Sequence, residues 1–178
     1  MYNQAYFAGG CFWCTESIFR IVKGVTKIIP GYMGGHLKNP AYSEVCNGNT
    51  GHTEAIKITY DQDLVTYGDL LEIFFLTHDP TTPDRQGNDV GSQYRSAIFF
   101  NNFEEKIQIE NCINTLQNSG AYDKPIITEV NSKCPFYEAE VVHHNYYNKN
   151  KEKSYCQFVI APKIKKFQSL FQNNLNNE

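Results

Sequence analysis

Strands that alternate with helices along a chain of 178 residues predict an α/β fold, α+β in the stricter sense. The expected architecture is a single-domain two-layer sandwich, a mixed sheet with helices packed on it. Three observations carry the prediction. Residues 52–61 alternate as a strand does, with Glu54, Ile56, Ile58 and Tyr60 on one face and Ala55, Lys57 and Thr59 on the other. Thr66 with Asp69, and Asn102 with Glu105, open helices, the first carrying Leu70, Leu71, Ile73, Phe74 and Phe75. No internal repeat or linker divides residues 1–178, which read as one domain; the Asn-rich end, 172–178, reads as a frayed tail. Strand order is not legible in one sequence.

In chain order, residues 5–8 read as a short strand and 15–22 as a helix that Gly24 ends. Residues 25–29 form the next strand, stopped by Pro30. Gly31-Tyr32-Met33-Gly34-Gly35 then punctuates a turn or bulge, and a loop follows to about Gly51. The helix from Thr66 ends at His78-Asp79-Pro80. A polar loop from Pro80 to Gln93 is long enough to be functional, with Gly87 and Gly91 flanking Asn88-Asp89. Residues 95–100 are apolar and β-prone. The helix from Asn102 runs to Asn118 and holds Cys112, read as structural. Residues 126–130 form a strand. Residues 136–148 have helical character and carry His143, His144, Tyr146 and Tyr147. Pro162 starts a last helix, with Ile164, Phe167, Leu170 and Phe171 on its apolar face.

Composition narrows the function. Hydrophobic residues at 41% and charged residues at 20% suit a folded globular chain. A net charge of −3 excludes nucleic acid or an anionic membrane as the main partner. There is no apolar run of spanning length and no signal peptide at Met1-Tyr2-Asn3-Gln4. The expectation is therefore a cytoplasmic monomer with reduced thiols. The six cysteines, at 11, 14, 46, 112, 134 and 156, are scattered. That argues against a disulfide framework and for a redox or catalytic role of one or two.

The chemistry centres on Gly9-Gly10-Cys11-Phe12-Trp13-Cys14. Paired glycines allow a tight turn, which puts Cys11 where a strand becomes a helix. Unpaired N–H groups there favour a thiolate, the nucleophilic form. Cys11 and Cys14 share a helical face at about 5–6 Å between Cβ atoms, close to the roughly 3.5–4.5 Å of a disulfide. Two buried structural cysteines would also fit a C-x-x-C, and a zinc site would need a second ligand pair. Glu54 on an apolar face is either a desolvated general acid with a raised pKa or a strand-end residue that reaches solvent.

Several motifs together resemble the A-type peptide methionine sulfoxide reductases over nearly the whole chain. They are Gly10-Cys11-Phe12-Trp13-Cys14, Gly31-Tyr32-Met33-Gly34-Gly35, the run from Tyr42 to Glu54, His78-Asp79-Pro80, the run from Arg85 to Ser96, and Tyr155-Cys156-Gln157. The resemblance implies that Cys11 attacks the sulfoxide sulfur. Phe12 and Trp13 form the slot for the S-methyl group, and Glu54 protonates the sulfoxide oxygen. Tyr32 and Tyr94 hydrogen-bond that oxygen, and Asp89 helps to shape its site. It further implies action on the S epimer of methionine sulfoxide, free or in proteins, with recycling by thioredoxin and without a cofactor or metal. Attack leaves a sulfenic acid that a second thiol converts to a disulfide. Relatives often carry that thiol in a Gly-rich tail. Here no cysteine follows Cys156, and Cys14 is expected to resolve, with Cys46, Cys134 and Cys156 as the alternatives. Val141-Val142 replace the acidic residue and Tyr more usual before the histidine, and His143 and His144 receive no catalytic role. The competing readings are a general thioredoxin-like dithiol oxidoreductase and a metal or interaction module built on Cys11, Cys14 and the histidines. Thioredoxin types place Trp before the first cysteine rather than between the two.

Overall fold

The fold is organised by a central strand, β1 (Tyr2–Gly9), which pairs with β3 (Thr53–Asp61) on one side and β6 (Ser96–Phe100) on the other. The computed structural model describes residues 1–171 and 175. The full sheet has the order β7-β6-β1-β3-β2-β8, with β2 at Val25–Met33, β7 at Glu129–Ser132 and β8 at Tyr137–Glu138. Among the described residues only β6 and β7 run parallel, so the sheet is mixed. Its helices are α1 (Phe12–Arg20), α2 (Tyr42–Cys46), α3 (Tyr67–Thr77), α4 (Phe103–Asn118), α5 (Tyr146–Lys149) and α6 (Ala161–Leu170). A small hairpin, β4 (Arg85–Gln86) with β5 (Asp89–Val90), and a 3-10 turn at Ser92–Tyr94 occupy the expected polar loop. A second 3-10 turn spans Val141–His143, and a π-helical stretch at Cys156–Ile160 leads into α6.

Strand alternation divides the core. Phe7, Ile28, Ile56, Ile58 and Ile98 face the helices, where they meet Ile18, Phe19, Leu70, Leu71, Phe74 and Phe167. The opposite face carries a smaller cluster of Tyr6, Ala8, Met33, Ala55, Ala97 and Phe99. This is the expected two-layer arrangement, and the thin second face is covered by Cys134 and Phe136 rather than by a helix.

Several boundaries differ from the sequence reading. β2 does not stop at Pro30 but runs through it and through Gly31-Tyr32-Met33. Pro30 is tolerated because its missing N–H faces the outer edge, where its carbonyl accepts from the Ala139 N–H. The 31–35 stretch is thus strand first and turn only at Gly34, where φ is +86°. α2 interrupts the expected loop before Gly51. Residues 136–148 do not form one helix: β8, the Val141–His143 turn and α5 share them, with Asn145 left-handed at φ 53°. α1 starts three residues earlier than expected, and the 126–130 strand lies slightly later as β7. The α3 cap is reciprocal, as expected: Thr66 Oγ1 accepts from Asp69 N–H while Asp69 accepts from Thr66 N–H. The frayed-tail expectation for 172–178 lies outside the described residues, except at Leu175, which bridges to Val22.

Candidate active site

Cys11 is the N-cap of α1, one residue beyond the end of the turn from β1. Gly10 makes that turn with φ +89°, and a Cβ there would lie 2.5 Å from Gln86 Cγ. Gln86 cannot step aside, because its side-chain amide is bolted to Asp79 by an accepted N–H (3.0 Å) and a donated one (2.9 Å). Glycine is required on both counts.

The turn brings Cys11 and Cys14 into one buried cluster with Cys156 and Ile160. All six cysteines are thiols. Burial, then the hydrogen bond with Cys14, then the charge on Glu54 push the Cys11 thiol well above its ordinary value. Burial thus works against the thiolate that the helix N-terminus favours. The first helical N–H, that of Phe12, is taken by Glu54 Oε2 at 2.9 Å. The N-terminal N–H therefore goes first to the Glu54 carboxyl rather than to Cys11. The pKa of the Cys14 thiol is lowered: the Cys11 thiol donates to it and, against burial, Lys163 favours its anion.

Glu54 lies on β3, 1% exposed, so it does not reach solvent at a strand end. Burial raises its pKa to about 8; the Phe12 N–H opposes the rise, and the nearby charges of Asp89 and Cys14 add to it. It is the protonated carboxyl that the apolar face of β3 predicts.

Phe12 is fully buried and Trp13 half-buried. Their rings meet Tyr42 and His143, with centroids 5.4 Å apart for Phe12–His143 and 4.4 Å for Tyr42–His143. Tyr146 stacks on Trp13 at 3.7 Å and 4°. Trp13 Nε1–H donates to His143 Nδ1 at 3.2 Å. Burial keeps His143 below its ordinary pKa, which suits a neutral acceptor. Tyr94 stands at the edge of the thiol cluster, its hydroxyl held protonated by burial and by the nearby Glu54.

Tyr32 and Asp89 are placed differently from the simplest expectation. Tyr32 donates its single hydroxyl proton to Glu140 Oε2 at 3.0 Å, so in this state it offers no free donor. Asp89 Oδ2 accepts from the Tyr155 hydroxyl at 2.7 Å, and that hydroxyl lies 3.8 Å from Cys14 Sγ. Asp89 therefore addresses the thiol pair through Tyr155.

Sequence reasoning missed Glu140, which also accepts the Tyr42 N–H at 2.8 Å. It also gave no role to Tyr42, His143, Tyr146 or Tyr155. Tyr42 and Tyr155 stood inside motifs that were already singled out, whereas nothing in one sequence brings Glu140 beside Tyr32. The alternative thiols are sorted by position. Cys156 is in the Cys11 cluster, exposed Cys46 lies by Tyr42, and Cys134 packs on the opposite face of the sheet. Among the described residues no three His, Cys, Asp or Glu side chains form a metal-binding group, and no helix is long and apolar enough to cross a membrane.

Residues 3–175 match the family model for peptide methionine sulfoxide reductase. The chain is 49% identical to the peptide methionine sulfoxide reductase MsrA of Acinetobacter baumannii (strain AYE), over 98% of this chain and 99% of that one. Among solved structures it is similar to methionine sulfoxide reductase A of Corynebacterium diphtheriae, with TM-score 0.74, 34% identity, and coverage of 84% and 76% of the two chains. It is also similar to reduced Mxr1 of Saccharomyces cerevisiae, with TM-score 0.79, 30% identity and coverage of 87% and 89%. The yeast protein also has a crystal structure in complex with Trx2. A family match that spans the motifs, the sheet and the buried thiol–carboxyl site leads to one conclusion: the chain belongs to the A-type peptide methionine sulfoxide reductases, enzymes that reduce methionine sulfoxide to methionine.

Proposed function

We propose that Cys11 is the nucleophile and Glu54 the acid in reduction of the S epimer of methionine sulfoxide, free or in polypeptides. The observation that carries this reading is a buried carboxyl, neutral below about pH 8, on the Phe12 N–H at the root of the cysteine turn. A sulfoxide oxygen leaves only when its charge is met by a proton, and buried Glu54 holds one. Cys11 sulfur attacks the sulfoxide sulfur. The Glu54 proton goes to the oxygen, and the thiol proton of Cys11 restores the carboxyl. Attack joins Cys11 sulfur to the substrate sulfur; the hydroxyl then passes to Cys11 sulfur as the S–O bond and the new S–S bond break, so one thiol and one sulfoxide become one sulfenic acid and one thioether. Phe12 and Trp13 supply the apolar slot for the methyl group. Tyr94 donates to the oxygen, and Tyr32 joins it once its bond to Glu140 yields. An apolar wall on one side and donors on the other separate the two epimers.

The same reading assigns the second step to Cys14. Its thiol shares a cluster with Cys11 and is the more acidic of the two. It attacks the sulfenic sulfur, releasing water and leaving a Cys11–Cys14 disulfide. Cys156 is the next thiol in the same cluster. A dithiol protein of the thioredoxin class then reduces the disulfide, as the yeast relative's complex with Trx2 suggests for its own chemistry. Six free thiols and that reductant suit a reducing compartment such as the cytoplasm. Residues 1–178 act as one catalytic unit, a monomer.

Chiral chromatography of racemic N-acetyl-methionine sulfoxide, after incubation with the protein and a dithiol, tests the reading. Loss of half the substrate, all of it the S epimer, is expected. Loss of the R epimer would overturn the pocket assignment.

A further inference from the structure

We propose that Glu16 is a positioning residue: it holds the turn that lays Tyr146 on Trp13 and so fixes the wall of the methyl slot. The inference rests on the reading above, in which Trp13 lines that slot.

Glu16 lies three residues after Trp13 on α1 and is 0% exposed. A carboxylate taken out of water is costly unless it is paired and hydrogen-bonded. This one is only partly compensated. Its Oε1 accepts from Arg20 Nη2 at 2.6 Å and from the backbone N–H of Asn145 at 2.8 Å. Its Oε2, and Nε of Arg20, are buried without a hydrogen-bond partner among the described residues. The contact that reaches away from α1 is the one to Asn145.

Asn145 needs such a hold. It is a non-glycine residue in the left-handed region, φ 53° and ψ 41°, and caps a helix of only four residues. Its neighbours grip the chain's single tryptophan from two directions. Tyr146 stacks on the ring at 3.7 Å, and His143 Nδ1 accepts the indole N–H at 3.2 Å. Glu16 fixes residue 145 between them. Both ends of the brace are rooted in α1, since Trp13 and Glu16 stand on the same helix. The helix geometry therefore sets how Tyr146 meets the indole, and the slot keeps one width while substrate enters and leaves.

The test separates reach from charge. Glu16→Gln keeps an acceptor at the same reach and loses the charge; Glu16→Asp keeps the charge and falls one methylene short. The expected result is that Glu16→Gln retains the KM for N-acetyl-methionine sulfoxide and the Trp13 fluorescence. Glu16→Asp raises KM about tenfold, the scale of a slot misfit by roughly one methylene. Its single-turnover rate at saturating substrate changes far less, and Trp13 emission moves to longer wavelength. Tyr146→Leu produces the same KM change, and adding Glu16→Asp to it adds nothing further. The opposite order, with Asp like the parent chain and Gln impaired, would overturn the proposal in favour of a charge role through Arg20. Unchanged KM and emission in both Glu16 variants would overturn it too. An unchanged KM in Trp13→Ala would instead overturn the slot reading, and the emission of Glu16→Asp would still decide whether Glu16 positions Trp13.

Discussion

Glu54 shows at the scale of one residue why a catalytic acid is destabilising. Its ordinary pKa near 4.5 is raised to about 8 in the fold, chiefly by burial. A carboxyl whose folded pKa is raised contributes its full stability below about 4.5 and loses it as pH rises toward about 8. Near neutral pH the chain therefore carries part of that loss, up to about 1.4 kcal/mol per pH unit above 4.5. Glu54→Gln is expected to lower the methionine-forming rate by roughly 10²–10⁴ while unfolding at higher denaturant concentration than the parent chain at pH 8. Single-turnover kinetics and urea titration read the two effects. In the parent chain the rate is expected to fall above about pH 8, where the proton is gone; a flat rate through pH 9 would remove Glu54 from the mechanism. For Cys14, Cys14→Ser is expected to release about one methionine per chain and then stop with a trapped sulfenic acid. Normal thioredoxin-linked turnover would pass the resolving role to Cys156, the next thiol in the cluster.

At the scale of elements, the site depends on how β1 turns into α1. The glycine pair and the C-x-x-C spacing were legible in the sequence because both are local: one residue type permits the φ, and helical periodicity sets the shared face. The Thr66–Asp69 cap was legible for the same reason. Local signals failed where a partner from far along the chain decided the conformation. Pro30 reads as a strand stop, yet on its β8 side the ladder uses only its carbonyl, which accepts from Ala139 N–H, so β2 continues. Residues 136–148 read as helical, yet Pro30 and Gly31 draw Ala139 and Glu138 into edge pairing, and Glu16 holds Asn145 left-handed. Gly10→Ala tests the turn. With φ +89° and Gln86 Cγ 2.5 Å from the new Cβ, strain of about 1–3 kcal/mol is expected, together with a loss of activity beyond tenfold as Cys11 moves. A stability within a few tenths of the parent chain would show that the turn relaxes.

At the scale of the whole molecule, the order β7-β6-β1-β3-β2-β8 puts β3, which bears Glu54, beside the strand that leads into the Cys11 turn, and β2, which bears Tyr32, on the far side of β3. Behind that turn, His78 links α3 to β6 and to the residue before β7: its Nδ1–H donates to Phe74 O at 2.6 Å, its Nε2 lies 2.8 Å from Ser96 Oγ, and Ser96 Oγ meets Thr128 Oγ1 at 2.8 Å. Burial lowers its pKa from 6.5 to about 4. A histidine with a depressed folded pKa contributes full stability above about 6.5 and loses it as pH falls toward about 4, by up to about 1.4 kcal/mol per pH unit. The parent chain is expected to lose more stability between pH 7 and pH 5 than His78→Gln does, measured by denaturant unfolding at both values. Equal losses would mean that His78 titrates alike in both states.

The sequence by itself determined the chemistry. It supplied the thiol pair at a strand-to-helix turn, the carboxylate on an apolar strand face, the aromatic neighbours, and the alternation that makes a sheet covered by helices. These follow from periodicity, backbone permissiveness and residue type, which act over a few positions. Only the tertiary structure decided which thiols are buried together, which hydroxyl proton is already committed, and which distant side chains complete the site. The Cys11 thiol is pushed up chiefly because the fold buries it beside Cys14, and Glu54 comes from another strand to take the Phe12 N–H. Tyr32 is occupied because Glu140 arrives 108 residues later. Electrostatics and hydrogen-bond pairing depend on distances through space, and those distances exist only once the sheet has closed.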